Sequence, residues 1–136
     1  MYLVDTSVWI DYFRNKQNNA IDFFCEVLDK KYPFGITSVI YQEILQGAQT
    51  GQDFIKLSNY LMTQRFYYPA DQVETYSQAA KIYFNCRKKG ITVRSTIDCL
   101  IAQISIENDL TLIHYDRDFE CIKAGITELK LWKIGP

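Results

Sequence analysis

Four carboxylates occupy places where acids do chemistry. Asp5 ends the apolar run Tyr2-Leu3-Val4, and Asp116 follows Leu112-Ile113-His114-Tyr115. Asp98 stands three residues after Ser95 in Ser-Thr-Ile-Asp, and Glu43 lies within Ser38-Val39-Ile40-Tyr41-Gln42-Glu43-Ile44-Leu45. Each has an ordinary explanation. Asp5 and Asp116 are good helix N-caps, Asp98 completes a capping-box-like pattern, and a mid-helix glutamate is commonly solvated. The coincidence is harder to explain that way. Three strand-to-helix junctions and one helix flank send acids to one end of a sheet, where crowded like charges raise one another's pKa. A hard divalent cation inside the cluster relieves that repulsion. Oxygen donors without His or Cys pairs select Mg2+ or Mn2+ over zinc. Such a site can bind a scissile phosphate, stabilise the leaving oxygen and activate a water, so phosphodiester hydrolysis needs no protein nucleophile there. The Thr6 and Ser7 hydroxyls are placed to hold a water or a phosphate oxygen beside Asp5, and Asp118 to share the metal through water.

These acids need strands to deliver them. Residues 2–4, 34–37, 66–68 and 110–114 read as short strands, and 129–134 alternates like an edge strand. Helical spacing runs from 6 to 13, 18 to 31, 39 to 49 with Ser38 as cap, 52 to 64, from Asp71 to about 89, 96 to 107, and briefly after Asp116. The fourth helix has Phe54, Leu57, Leu61 and Met62 as its apolar face; the fifth carries Val73, Tyr76, Ala80 and Tyr83-Phe84 and closes at Arg87-Lys88-Lys89-Gly90. Strands alternating with helices imply an α/β fold, a three-layer α/β/α sandwich around a mainly parallel sheet. Functional residues then gather beyond the carboxyl ends of the strands. With no repeat, low-complexity tract or linker, residues 1–136 read as one domain.

The composition narrows the class. Hydrophobic residues make up 48% and charged residues 23%, globular values that exclude disorder. The net charge of −1 does not favour a nucleic-acid binder, yet a bound cation reverses the local sign of an acidic site. Cys25, Cys86, Cys99 and Cys121 are scattered without a C-x-x-C pair, as expected for free thiols in a reducing cytoplasm. The sequence offers neither a membrane-spanning run nor a signal peptide.

Arg87, Lys88, Lys89 and Arg94 form the clearest basic cluster, either helix-end charge or contacts to RNA phosphates. His114, the single histidine, is read as structural because alternation along its strand turns it from the site. Phe23-Phe24 and Tyr60-Leu61-Met62 are read as core.

The acid-bearing segments resemble the PIN-domain family. Val4-Asp5-Thr6-Ser7-Val8-Trp9 is similar to its opening motif, and Glu43 sits in an S-x-x-x-x-E-x-x-x-G setting typical of its second acid. Thr96-Ile97-Asp98-Cys99-Leu100-Ile101-Ala102 resembles the third motif and His114-Tyr115-Asp116-Arg117-Asp118-Phe119 the fourth, often D-x-D-F. The order and spacing most resemble VapC toxins of bacterial toxin–antitoxin pairs. This resemblance implies a Mg2+- or Mn2+-dependent endoribonuclease that cuts tRNA or ribosomal RNA. It implies Asp5, Glu43, Asp98 and Asp116 as metal-site acids, supported by Thr6 or Ser7 and Asp118. It also implies a homodimer and a cognate VapB-type antitoxin whose tail enters the active-site groove, with the Phe23-Phe24 and Tyr60-Leu61-Met62 surface contributing to antitoxin or dimer contacts.

Two rivals remain. A catalytically silent PIN-like module would bind RNA or protein without cutting. Aspartyl-phosphate proteins fit poorly: the phosphatase type wants an acid where Ser7 stands, and the receiver type wants paired early acids and a late lysine.

Overall fold

The computed structural model describes residues 1–133. Its elements run β1 (Tyr2–Val4), α1 (Thr6–Phe13), α2 (Asn19–Asp29), β2 (Phe34–Thr37), α3 (Ser38–Gln46), α4 (Gly51–Leu61), β3 (Arg65–Tyr67), α5 (Glu74–Lys88), α6 (Thr96–Glu107), β4 (Thr111–Ile113), α7 (Arg117–Gly125) and β5 (Lys130–Leu131). The five strands form one sheet in the order β3-β2-β1-β4-β5, with every pairing parallel. Parallel neighbours need crossover connections, and here each crossover carries helices. Helices α1 to α4 pack together, as do α5, α6 and α7, giving a layer on each face of the sheet, as the alternation of elements predicts.

The core follows from burial on both faces. Leu3, Val4, Ile36, Leu112 and Ile113 are fully shielded, and Trp9, Phe24 and Phe119 cover them from the helices. Trp9 is deeply buried yet satisfied, because its Nε1 donates to the Val4 carbonyl at 3.1 Å. Gly35 permits the close approach of β2 and β3. A Cβ there would lie 2.5 Å from the Arg65 carbonyl oxygen and 2.6 Å from the Tyr67 ring. α5 ends as its Arg-Lys-Lys-Gly sequence suggests: Gly90 takes φ +76°, its amide donates to Arg87 O, and the Ile91 amide donates to Cys86 O, a Schellman closure.

Several boundaries and faces differ from the sequence reading. Thr37, not Ser38, caps α3, its hydroxyl accepting from the Ile40 amide. Asp71 caps the turn ahead of α5, accepting from the Val73 and Glu74 amides at 2.8 and 2.7 Å. In α4 only Leu61 of the expected face is buried, while Phe54 and Met62 stand exposed. In and just before α5 the bulky Val73, Tyr76 and Phe84 are exposed, and Thr75, Ala79, Ile82 and Cys86 face inward. The inner stripe is small because α5 packs closely on α6 and α7, so closely that a Cβ at Gly125 would meet Cys86 Sγ at 2.6 Å. The edge strand is shorter than 129–134, and Ile134 lies outside the described residues.

Candidate metal centre

β1 and β4 lie side by side at the middle of the sheet, although one opens the chain and the other comes near its end. Strand connections leave in opposite directions at this point, which opens a crevice at the carboxyl ends of an open α/β sheet. Asp5 follows β1 and Asp116 follows β4, so the topology brings both to this crevice. α6 delivers Asp98 in its first turn, where Ser95 caps the helix. α7 is capped by Asp116, whose Oδ1 accepts from the Asp118 amide at 2.9 Å.

One carboxylate oxygen each from Asp98, Asp116 and Asp118 lies within 4.8 Å of the others. That spacing suits three ligands of one cation, and three hard oxygen donors suit Mg2+ or Mn2+. Asp98 and Asp118 are buried and Asp116 is half-buried. Asp118 was expected only to support the site; the D-x-D spacing that makes it second in its helix sets it inside the tightest group.

Asp5 and Glu43 couple electrostatically to the same centre but stand outside that group, and each is held by a neighbouring hydroxyl. Asp5 Oδ2 accepts from the Ser7 hydroxyl at 2.6 Å and the Ser7 amide at 3.1 Å. Glu43 Oε1 accepts from the Thr6 hydroxyl at 2.7 Å. The two hydroxyls therefore orient carboxylates, where a water or phosphate contact was expected. Ser7 Oγ also accepts from the Tyr115 amide at 3.0 Å, tying the start of α1 to the loop beyond β4.

The electrostatics are those of crowded, buried acids. Burial pushes Asp5 up to about 6, opposed by the two Ser7 hydrogen bonds and helped by Glu43 and Asp116. Burial, then repulsion from Asp5, Asp116, Asp118 and Glu43, pushes Asp98 up to about 8, and no hydrogen bond counters it. All five acids thus share one field. The only cation in contact is Arg94, whose Nε donates to Asp118 Oδ1 at 3.1 Å among the described residues.

The other basic residues are placed elsewhere. Lys89 Nζ donates to the Gly125 carbonyl at 2.7 Å. That is the far end of α7, roughly 13 Å from its acidic start at 1.5 Å per residue. Arg87 and Lys88 lie over the Tyr83 and Phe84 rings at 5.8 and 5.9 Å. His114 is buried beside the centre without joining it. Its Nδ1 lies 2.9 Å from the Asp116 carbonyl oxygen and its Nε2 3.5 Å from Glu120 Oε1, and burial holds the imidazole below its ordinary value.

A doubly wound parallel sheet with acids converging at its switch point defines a class, and the sequence profile described as PIN domain matches residues 2–124. The chain belongs to the PIN-domain family. Among curated proteins it is 35% identical over 134 residues to a VapC ribonuclease of Mycobacterium bovis and to Ribonuclease VapC11 of Mycobacterium tuberculosis, covering 96% of each chain. Among solved structures its fold is similar to VapBC2 of Rickettsia felis bound to a promoter DNA fragment, with TM-score 0.71, 21% identity and coverage of 97% and 98%. It is likewise similar to FitAcB of Neisseria gonorrhoeae, with TM-score 0.71, 17% identity and coverage of 98% and 97%. Among the described residues, no helix is long and apolar enough to cross a membrane.

Proposed function

We propose that this chain is a VapC-type toxin, an endoribonuclease dependent on Mg2+ or Mn2+ that cuts tRNA or ribosomal RNA. The observation that carries the reading is the meeting of Asp98, Asp116 and Asp118 within 4.8 Å at the carboxyl end of the sheet. In this reading Asp5, Glu43, Asp98 and Asp116 are the catalytic acids and Asp118 joins them in holding the cation. When bound, the cation supplies charge stabilisation at the phosphodiester and lowers the pKa of the attacking water.

The chain's own residues prepare that site. Ser7 fixes Asp5 and Thr6 fixes Glu43, so two acids are locked before substrate arrives. Asp98 accepts no side-chain hydrogen bond and is pushed up to about 8, so it would be among the residues that hold the cation and would ionise more readily beside it. Arg94 partly neutralises Asp118 and, with most of its side chain in solvent, is placed to meet an RNA phosphate. Of the basic residues, Arg94 has the best-supported substrate role; Arg87, Lys88 and Lys89 serve chiefly the helix ends.

A VapB-type antitoxin is the proposed partner. Exposed Phe13 on α1 packs edge-on against exposed Tyr60 on α4, with centroids 6.1 Å apart, and Met62 just beyond α4 is exposed too; these apolar side chains suit contact with a helical segment of it. The outward face of α5, carrying Val73, Tyr76 and Phe84, suits a second copy of the chain in a homodimer.

A fluorogenic RNA assay with Mg2+, Mn2+ or EDTA tests the reading. Wild type should cut with either cation and stop in EDTA, while Asp5→Ala and Asp98→Asn should keep near-UV circular dichroism and lose cleavage. Undiminished cutting in EDTA refutes the metal mechanism. RNA that binds and is never cut assigns the silent module instead.

A further inference from the structure

A cavity of about 480 Å3 adjoins the acidic cluster and shares Asp116 with it. One side is built by the loop after β4 and the start of α7: His114, Tyr115, Arg117 and Glu120. The other is built by Trp132 and Lys133 beyond β5. The nuclease reading uses none of these six side chains.

The wall is chemically mixed in a particular way. Tyr115 is 60% exposed although its amide is anchored on Ser7 Oγ. The Trp132 indole stacks on Phe23 with centroids 5.1 Å apart and planes 17° apart, and its amide donates to Leu112 O, so the ring is fixed where it lines the cavity. Arg117 and Lys133 are exposed, and neither forms an ion pair among the described residues. Glu120 is half in solvent, with Oε1 toward His114 Nε2 and Oε2 unpaired among the described residues.

Aromatic rings beside free cations next to a phosphodiester centre are what an unstacked base and its phosphate require. The carboxylate narrows the choice. It only accepts hydrogen bonds, and guanine offers two adjacent donors, N1–H and the N2 amino group. Uracil offers one N–H between two carbonyl oxygens, which a carboxylate repels.

We propose that this cavity binds one unpaired base of the RNA strand beside the cleaved phosphate, with guanine preferred through Glu120 and stacking on Trp132 or Tyr115. The assignment rests on the nuclease reading for its biological meaning, but binding itself needs no cation. The test is therefore done in EDTA on the intact chain, titrating GMP, AMP, CMP and UMP while following tryptophan fluorescence. Trp9 is buried, so Trp132 is the responsive reporter. GMP should quench saturably and bind roughly tenfold tighter than UMP, the discrimination of one good bidentate contact. Glu120→Gln, an exposed substitution, should bring the two nucleotides together, Tyr115→Ala should weaken GMP, and Trp132→Phe should abolish the signal. Absence of saturable quenching, equal affinity for all four nucleotides, or a signal that survives Trp132→Phe overturns the proposal. Absent quenching is also what a cavity reserved for a protein side chain gives. Cleavage without nucleotide binding sinks this inference alone, whereas GMP binding without any cleavage sinks the nuclease reading alone.

Discussion

Replacing Asp98 by asparagine should make the cation-free protein more stable while removing its activity. The Asp98 carboxyl is pushed up to about 8 from an ordinary value of 3.8 by burial and by four neighbouring acids. The folded chain therefore keeps a proton that the unfolded chain releases. Because the folded state binds more protons between those two values, stability falls as pH rises through that window. Each pKa unit corresponds to about 1.4 kcal/mol, so by pH 8 the buried acid costs wild type on the order of 6 kcal/mol. Asparagine has the same shape and no charge, so it escapes this cost. Urea unfolding in EDTA at pH 4, 6 and 8 reads the effect. The two proteins should be nearly equal at pH 4, and Asp98→Asn should gain by up to about 1.4 kcal/mol per pH unit above it. Adding Mg2+ should stabilise wild type by preferential binding to the folded state and should leave the variant unmoved. A difference that does not vary with pH, or a variant less stable at pH 8, would refute the electrostatic account of this centre.

Three further outcomes follow from the same geometry. Asp118→Ala should lower cleavage at least as far as loss of a metal-orienting residue does, about 10- to 100-fold, and calorimetric titration should show weaker Mn2+ binding. Wild-type cation affinity, measured the same way, should rise from pH 6 to pH 8 as Asp5 and then Asp98 release their protons; a flat profile argues against both as ligands. Gly35→Ala should cost about 1–3 kcal/mol of stability through overpacking, since the new methyl meets the Arg65 carbonyl oxygen and the Tyr67 ring; thermal unfolding reads it.

The fold was legible because short strand-like runs alternate with helical spacing, and two of them, β1 and β4, lead into helices capped by acids. Asp5 and Asp116 were legible for the same reason, since an acid at a strand-to-helix junction can only lie at the carboxyl edge. What the sequence left open was which stripe of α5 faces inward. Val73, Tyr76, Ala80 and Phe84 carry the bulk that suggests a core, yet Thr75, Ala79, Ile82 and Cys86 are inside. Close helix packing selects small residues, and a sequence does not say how near the next helix comes. The hydroxyls of Thr6 and Ser7 were read as meeting water or phosphate for the same kind of reason: Thr6 meets the distant Glu43, and Ser7, besides the adjacent Asp5, accepts from the distant Tyr115 amide. Trp132 gave no signal beyond strand alternation, because its role depends on Phe23 and on the start of α7.

The pairing of β1 with β4 also has a bearing on synthesis. The first acid to leave the ribosome waits at the end of β1 for partners encoded close to the other terminus. Until α6 and α7 have emerged and docked, a nascent chain holds scattered aspartates and no centre able to cut. Asp5 therefore meets Asp98, Asp116 and Asp118 only after both of these late helices have folded.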